Sequence, residues 1–268
     1  MKNTLITLCV AALVGAVAGS DAAIWGMYKD AAHEGFRWSR FARSIVIASA
    51  AAIVVQLLLD LKLPGAGALL VLFGLAYAAE RAVVEVWKTF VRVEDQSKYA
   101  IPMQFAIGGT PVQSRVVRLV AGLAYVTAIA LAGVVVYQMI GGGGTWLQSG
   151  VVGFLVGLVI AIGGAWKDAP IEGFEPLKFF RSPSLTTAAA LVLFPLTSSV
   201  PLAAIAAIGY ERAASENYKT FFFPSRPRGK FAGKPVTHPA MLLRRQHFVP
   251  AYLAIRVALV WCALGASS

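Results

Sequence analysis

Long apolar stretches recur along the chain and are separated by short polar segments. Each stretch has enough residues for a helix to cross a hydrocarbon core of about 30 Å. The pattern predicts eight transmembrane helices over residues 3–25, 44–61, 64–87, 116–140, 147–165, 184–198, 200–222 and 248–266. The sixth stretch is short and ends at Pro195 and Pro201, which predicts a tilted or broken helix. The fold class expected from this pattern is an all-α membrane protein.

Two charged motifs each occur twice in the chain. Residues 28–44 read YKDAAHEGFRWSRFARS, and residues 166–183 read WKDAPIEGFEPLKFFRSP, with an offset of 138 residues. Residues 80–90 read ERAVVEVWKTF, and residues 211–221 read ERAASENYKTF, with an offset of 131 residues. The same charged letters therefore return at the same places relative to the apolar stretches.

The duplication predicts a chain of two halves. We expect a first four-helix repeat over 1–140, a glycine linker over 141–146 and a second four-helix repeat over 147–268. Because each repeat has an even number of helices, both halves enter the membrane in the same sense, as parallel repeats. The N-terminus resembles a secretory signal peptide. The repeat favours a retained first helix, because its apolar run precedes the first motif as the fifth run precedes the second copy.

Composition and charge support a membrane protein with a defined orientation. The chain is 58% hydrophobic and 14% charged, whereas soluble domains carry about 25% charged residues. Of the 24 Lys and Arg, 21 lie in the segments between odd- and even-numbered helices, counting helix ends. The positive-inside rule places this side in the cytoplasm and both termini outside it. We expect a bacterial inner-membrane location.

The net charge of +11 has an interpretation that does not involve nucleic acid. Topology and contact with anionic lipids account for it better than nucleic-acid binding does. The most basic part of the chain is residues 223–247, where prolines prevent a continuous helix. We expect this segment to contact anionic headgroups or a membrane-protein partner. The long, half-apolar segment 91–114 is expected to lie along the membrane surface or to fold back into the protein.

Eight of the 13 acidic residues occupy matching positions in the two copies of the motifs. A carboxylate near a bilayer costs several kcal/mol if it is dry and unpaired, so its presence in both halves suggests a role. The candidate catalytic carboxylates are Glu85, Glu216, Asp30 and Asp168. The candidate Mg²⁺ ligands are Glu34, Glu172, Glu80 and Glu211. The candidate phosphate-binding cations are Lys29, Lys167, Arg81, Arg212, Lys88 and Lys219.

Helical spacing brings the charges of each motif together. Arg81 and Glu85 are i,i+4 neighbours, and Glu85 and Lys88 are i,i+3 neighbours, so these side chains share a helix face. Asp30 and Glu34 share a face in the same way if their segment is helical. Pro170 in the second copy fits only the first turn of such a helix.

Short motifs with a known mechanism give little information about the function of this chain. The Lys-Asp-Ala to Glu-Gly-Phe segments are similar over a few residues to the GKTWxGF loop of CDP-archaeol synthases. They lack the Thr-Trp pair of that loop and occur twice here, so no role is carried over from it. There is no GxSxG nucleophile motif, and the three histidines have no paired metal-ligand spacing.

Three functions fit a charged site at the cytoplasmic face. The first is an Mg²⁺-dependent enzyme, such as a transferase, acting on a phosphate-bearing lipid or isoprenoid. The second is a non-catalytic structural subunit of a larger membrane complex, in which the motif acids and bases neutralise each other. The third is a small-ion transporter or channel. Outside the duplicated motifs, and apart from Gln56 and a few Ser and Thr, helices two, three, six and seven carry few polar residues that would line a pathway.

Overall fold

The protein folds into a bundle of long helices. The computed structural model describes residues 2–141, 143–222 and 229–267. The helices are α1 (Lys2–Glu34), α2 (Trp38–Leu59), α3 (Ala66–Val86), α4 (Arg115–Ile140), α5 (Trp146–Glu172), α6 (Pro176–Thr197), α7 (Val200–Phe221), α8 (Ala240–Arg244) and α9 (Val249–Ser267). A π-helical turn (Trp87–Val91) continues α3, and a 3-10 turn (Arg245–Phe248) joins α8 to α9. The strands β1 (Ala106–Ile107) and β2 (Thr110–Pro111) pair antiparallel.

Seven helical segments of the described chain are long and apolar enough to span a membrane. The helix α7 is long but does not meet this criterion, because its second half carries charged residues of the duplicated motif. It still runs from one end of the bundle to the other. The amide of Val200 donates to the carbonyl of Gly143 (3.0 Å), and the ring of Phe221 lies 4.8 Å from that of Tyr28. The fold is that of a helical, polytopic membrane-type protein.

The helices α3 and α7 cross at the centre of the bundle. A Cβ atom on Gly209 would lie 2.1 Å from the carbonyl oxygen of Gly74, and a Cβ on Gly74 would lie 2.7 Å from the carbonyl oxygen of Ala206. The Tyr210 hydroxyl also donates to the carbonyl of Leu70 (2.8 Å). Only glycine permits this approach of the two backbones, which brings the charged ends of both helices side by side.

Two helical hairpins flank the central pair, one formed by α1 and α2 and the other by α5 and α6. A Cβ on either Gly15 or Gly19 would lie 2.4 Å from a backbone oxygen of α2. A Cβ on Gly157 would lie 2.4 Å from the Cα of Pro183 in α6. Small residues four positions apart permit such close packing between membrane helices. Gly153 and Gly157 follow Gly15 and Gly19 by 138 residues, the offset of the first motif.

Several helix boundaries differ from those expected from hydropathy. The helix α1 continues through the polar motif to Glu34, since pairing of its charges outside the apolar layer allows the helix to extend. The helix α6 begins at Pro176 and is continuous through Pro183 and Pro195, so the expectation of a broken helix is wrong. The expectation of a first-turn position for Pro170 is also wrong. This proline lies near the end of α5, where its missing N–H costs a single helical hydrogen bond.

The segment between α3 and α4 folds back against the charged end of the bundle. Tyr99 and Met103 pack with Phe231 from the segment before α8. The amide of Ala100 donates to the carbonyl of Lys230 (2.7 Å), and the Trp166 indole donates to the carbonyl of Ala106 (2.9 Å). Of the two placements expected for this half-apolar segment, the structure therefore has the one against the protein.

Both ends of the described chain lie at the end of the bundle opposite the charged motifs. The helix α1 runs antiparallel to α2, as its glycine contacts show, so its first turn lies beside the α2–α3 connection. A Cβ on Gly265, near the end of α9, would lie 3.7 Å from the Cβ of Ala66 at the start of α3. The first turn of α1 and the last turn of α9 are therefore on the same side.

The close α5–α6 contact generates a stability prediction. We expect Gly157→Ala to destabilise the protein by about 1–3 kcal/mol, because the new methyl group overlaps α6. Gly163 lies on the same helix, and a methyl group added there would have no neighbour within 4 Å, so Gly163→Ala is the matched control. Alanine is a better helix former than glycine by about 1 kcal/mol, so the control should be neutral or stabilising. Thermal unfolding in detergent measures both; equal effects would contradict the packing argument.

Candidate functional site

The charged ends of α3 and α7 meet those of α1 and α5 at one end of the bundle. Together they bring ten charged side chains of the duplicated motifs into electrostatic range of one another. We call these ten the central cluster: Lys29, Glu80, Arg81, Glu85, Lys88, Lys167, Glu211, Arg212, Glu216 and Lys219. The cluster contains all six of the predicted phosphate-binding cations.

In the second half of the chain, Glu216 is fully engaged by cations. The Lys29 ammonium, which comes from α1, donates to it at 2.9 Å. Lys219 and Arg212 of its own helix lie at 3.3 and 3.6 Å. The Glu216 side chain is only 6% exposed. This carboxylate therefore joins the two halves of the chain in a buried ion pair.

In the first half, Glu85 has a similar set of neighbours but a more open position. Lys88 and Arg81 of its own helix lie at 3.2 and 3.9 Å. Lys167 approaches from α5, as Lys29 approaches Glu216 from α1, but it acts on Glu85 only at longer range. The Glu85 side chain is 43% exposed. Each of these two carboxylates thus has a lysine from the other half as a neighbour. Lys29 forms a close ion pair with Glu216, whereas Lys167 acts on Glu85 only at longer range.

Lys167 differs from its counterpart Lys29 in having no close ion pair. Its ammonium donates to the sulfur of Met103 at 3.4 Å, which is a weak acceptor. Among the described residues, no carboxylate oxygen lies within 4 Å of it. An acceptor with more negative charge would be a better partner for this ammonium group.

The two most deeply buried acids of the cluster have structural partners. Glu80 is 0% exposed and accepts from the adjacent Arg81 guanidinium, with Nη2 at 2.6 Å from Oε1. Glu211 accepts from the hydroxyls of Ser182 on α6 (2.7 Å) and Ser215 (2.8 Å). Its other carboxylate oxygen is buried without a partner among the described residues. These acids fasten the helices beneath the exposed part of the cluster.

The acids of the first motif hold a lysine from a distant segment. Asp30 and Glu34 each lie 2.9 Å from the ammonium of Lys230. Glu34 also pairs closely with Arg40 at the start of α2. Asp30 and Glu34 are one turn apart on α1, which confirms the helical spacing expected for this motif. The Lys230 ammonium of the basic segment is therefore held by two carboxylates of the protein.

The equivalent acids of the second half hold a different lysine. Asp168 and Glu172 lie 3.0 and 2.6 Å from the ammonium of Lys178, which occupies the position of Arg40 at the same offset. In both halves, two acids one turn apart therefore share one lysine. This arrangement neutralises the motif acids in pairs.

The carboxylates do not form a ready-made metal site. Among residues 2–141, 143–222 and 229–267, no group of three Asp, Glu, His or Cys side chains is arranged to hold a metal ion. The four predicted metal ligands are each engaged elsewhere: Glu34 and Glu172 by lysines, Glu80 by Arg81 and Glu211 by serines. Mg²⁺ requires a near-octahedral oxygen shell, which these side chains do not provide as they stand.

The basic segment 223–247 is only partly described. Arg226 and Arg228 lie outside the described residues. Lys234 donates to the carbonyl of Ser97 (2.7 Å), and the Arg245 guanidinium lies 4.4 Å from the centre of the Tyr28 ring. Part of the positive charge expected to meet lipid headgroups is therefore used inside the protein.

An ion pair within the apolar layer joins α9 to α1. The Arg256 guanidinium donates to Asp21 at 2.5 Å and to the Tyr252 hydroxyl at 2.6 Å, and Asp21 is 0% exposed. Sequence reasoning did not find this pair. The signal was present, because an acid inside the first apolar stretch and a base inside the last one both require compensation in lipid.

No protein-family model, curated protein or solved structure matches this chain. Its class therefore rests on the fold and the site. The protein is a helical, polytopic membrane-type protein in which charged residues of the two sequence motifs form one cluster at one end of the bundle.

The unequal lysines predict unequal effects of the same substitution. We expect Lys29→Gln to cost about 3 kcal/mol of stability, because it leaves the buried Glu216 without its closest partner. Lys167→Gln should cost under about 1 kcal/mol, because no close ion pair is broken. Chemical or thermal unfolding in the same detergent compares the two variants. An equal loss of stability in the two variants would show that the difference in ion pairing between Lys29 and Lys167 has no energetic consequence.

Proposed function

We propose that the protein binds a phosphate-bearing lipid or isoprenoid at the central cluster, with Lys167 as a principal contact to the phosphate. The observation that carries the proposal is the state of Lys167, a residue type shared by both motif copies that has a thioether as its closest acceptor. A phosphate oxygen would replace that weak acceptor with a charged one, and charge-assisted hydrogen bonds are the strong ones.

The charge balance of the cluster supports an anionic ligand. Six cations face four carboxylates, and two of those carboxylates, Glu80 and Glu211, are buried below with their own donors. The upper part therefore has a surplus of positive charge around Glu85 and Glu216. The exposure of Glu85 provides access from solvent to that surplus. Lysine and arginine in such a setting suit phosphate oxygens.

If the protein is an enzyme, this proposal leaves one of the four candidate carboxylates in a position to act as the catalytic residue. Asp30 and Asp168 are each bound to a lysine, and Glu216 is 6% exposed. Glu85 is the candidate catalytic residue that combines exposure with the neighbouring cations. Mg²⁺ enters the proposal only together with the ligand, because Mg²⁺ commonly binds through one or two carboxylates plus substrate phosphates.

A structural role is the second candidate function. The buried Lys29–Glu216 pair and the shared lysines of the first motif acids are the features of a self-neutralising network. A subunit of a larger membrane complex would use such a network to fix its helix ends. The transporter hypothesis has less support. Gln56 is a polar residue of α2 that could line a pathway, and its amide is used in a hydrogen bond to the carbonyl of Leu61 just after the helix.

The topology that we propose has eight spans in two parallel four-helix repeats, with α7 as the eighth. Its low apolarity is compatible with a span because α3 and the α5–α6 hairpin surround it and half of its residues are buried. The matching glycine contacts of the two hairpins support the repeat. The basic end then faces the cytoplasm, and both termini face outward across a bacterial inner membrane.

Native mass spectrometry of the gently purified protein, with lipid extraction, tests the ligand. We expect about one phosphate-bearing lipid or isoprenoid per chain on the wild type. Lys167→Gln should weaken retention by about tenfold, the loss of one charge-assisted hydrogen bond of about 1.5 kcal/mol. Lys167→Arg should retain it. Arg244→Gln, an exposed residue on α8, is the control for loss of one positive charge.

Other outcomes separate the alternatives. A stoichiometric protein partner with no such ligand would contradict the binding proposal and favour the structural subunit. Glu85→Gln discriminates the role of the carboxylate: direct cation binding predicts equal or stronger retention, because a competing negative charge is removed. Loss of the ligand in Glu85→Gln would show that a metal ion bridges the carboxylate and the phosphate.

A further inference from the structure

A second cationic site lies beside the central cluster and uses none of its ten residues. It is a cavity of about 620 Å³ between the start of α2, the π-helical turn after α3 and the start of α4. We call it the arginine cavity, after its lining residues Arg40, Arg43, Trp87, Arg92, Glu94 and Arg115. Arg92 and Arg115 have no counterparts in the duplicated motifs.

The arginines of this cavity outnumber its acids. Glu94 lies 2.5 Å from Arg92 and 4.0 Å from Arg40. Partial burial alone would raise its pKa, but hydrogen bonds from Lys98 and Tyr99 and the charge of Arg92 hold the pKa of Glu94 below its ordinary value. Glu94 is therefore an ionised group whose charge is already matched by neighbouring cations.

Two of the arginines have no close ion pair. Among the described residues, no carboxylate oxygen lies within 4 Å of the guanidinium of Arg43 or Arg115. The Nε–H groups of Arg43 and Arg92 are also buried without an acceptor in the described part of the chain. A buried donor that lacks an acceptor costs about 1–3 kcal/mol. An oxyanion in the cavity would supply the negative charge that the guanidinium groups of Arg43 and Arg115 lack at close range.

The aromatic wall fixes the orientation of the guanidinium groups. Arg43 and Arg92 lie 5.8 and 5.5 Å from the centre of the Trp87 ring. The π-helical turn that begins at Trp87 widens the end of α3 at this point, and such turns occur frequently at functional sites. Guanidinium groups packed on a ring are held in place, which lowers the entropy cost of binding an anion.

The surroundings of the cavity indicate a lipid as the source of the anion. Val93 in its wall, Trp38 next to it on α2 and Val116 next to it on α4 are 71%, 71% and 70% exposed. The helices α2 and α4 continue from here with large apolar side chains facing outward, including Val46 and Val120. Acyl chains fit this surface, and Trp and Arg at helix ends suit the level of the headgroups.

We propose that the arginine cavity binds the phosphate of an anionic phospholipid headgroup, with Arg43 and Arg115 as the principal contacts. This site is separate from the ligand proposed for the central cluster. Its occupant is a bilayer lipid whose acyl chains lie along α2 and α4.

Native mass spectrometry with defined lipids tests this site. Delipidated full-length protein is titrated with phosphatidylglycerol, phosphatidylcholine or inorganic phosphate. We expect one tight phosphatidylglycerol, bound about 100-fold more weakly by Arg43→Gln/Arg115→Gln, as two charge-assisted hydrogen bonds are lost. The control Arg37→Gln/Arg244→Gln removes the same charge from exposed positions outside the cavity and should bind as the wild type does. If the double variant does not fold, Arg115→Gln alone, at an exposed position, replaces it and should weaken lipid binding by a smaller factor.

The remaining outcomes overturn the proposal in distinct ways. If the control variant weakens phosphatidylglycerol binding as much as the cavity variant does, the lipid is held by diffuse attraction to the basic surface. If phosphatidylcholine binds as tightly as phosphatidylglycerol, the site does not recognise net negative charge. Displacement of the lipid by millimolar inorganic phosphate would assign the cavity to a free anion. Lys167→Gln should leave this binding unchanged, so failure here is separable from failure at the central cluster.

Discussion

The close crossing of α3 and α7 at Gly74 and Gly209 is the contact on which the rest of the fold depends. Without side chains at these positions, the two backbones approach until one Cβ position would overlap the opposing carbonyl. Membrane helices gain little from the hydrophobic effect in lipid and associate through such backbone proximity. The crossing places four motif acids and four motif bases next to each other. Their mutual pairing then allows both helices to end in charge.

The sequence predicted the helices well because a span must satisfy its backbone internally and present apolar side chains. It predicted the local ion pairs of Glu85 because helical spacing alone determines them. It could not predict the difference between Lys29 and Lys167, because identical motif letters become unequal only through the packing of whole helices. It did not indicate the arginine cavity, because Arg92 and Arg115 lie outside the duplicated motifs.

The polar character of α7 follows from its place in the bundle. Hydropathy assumes that a span faces lipid, but α7 packs on α3 through Gly209 and near Val152 of α5 through Val200 and Ala204. A helix enclosed by protein can carry Glu211 and Glu216, because neighbouring hydroxyls and lysines replace water. The opposite case is α4, which is strongly apolar and packs little against the protein along most of its length. The apolar character of a helix therefore indicates how much of its surface is free to contact lipid, rather than whether the helix crosses the membrane.

Repetition of the motifs by itself would produce two equivalent carboxylate positions, and the surroundings of Glu85 and Glu216 depart from that equivalence. At Glu216 the lysine from the other half is already bound, and the carboxylate is covered. At Glu85 the corresponding lysine is held back beside Met103, a residue of the α3–α4 segment. This segment therefore supplies the acceptor that Lys167 contacts in place of a carboxylate, and the Glu85 side chain is 43% exposed. Glu216 therefore lies in a buried ion pair between α1 and α7, whereas Lys167 has no close ion pair, and the single phosphate ligand that we propose would bind at Lys167.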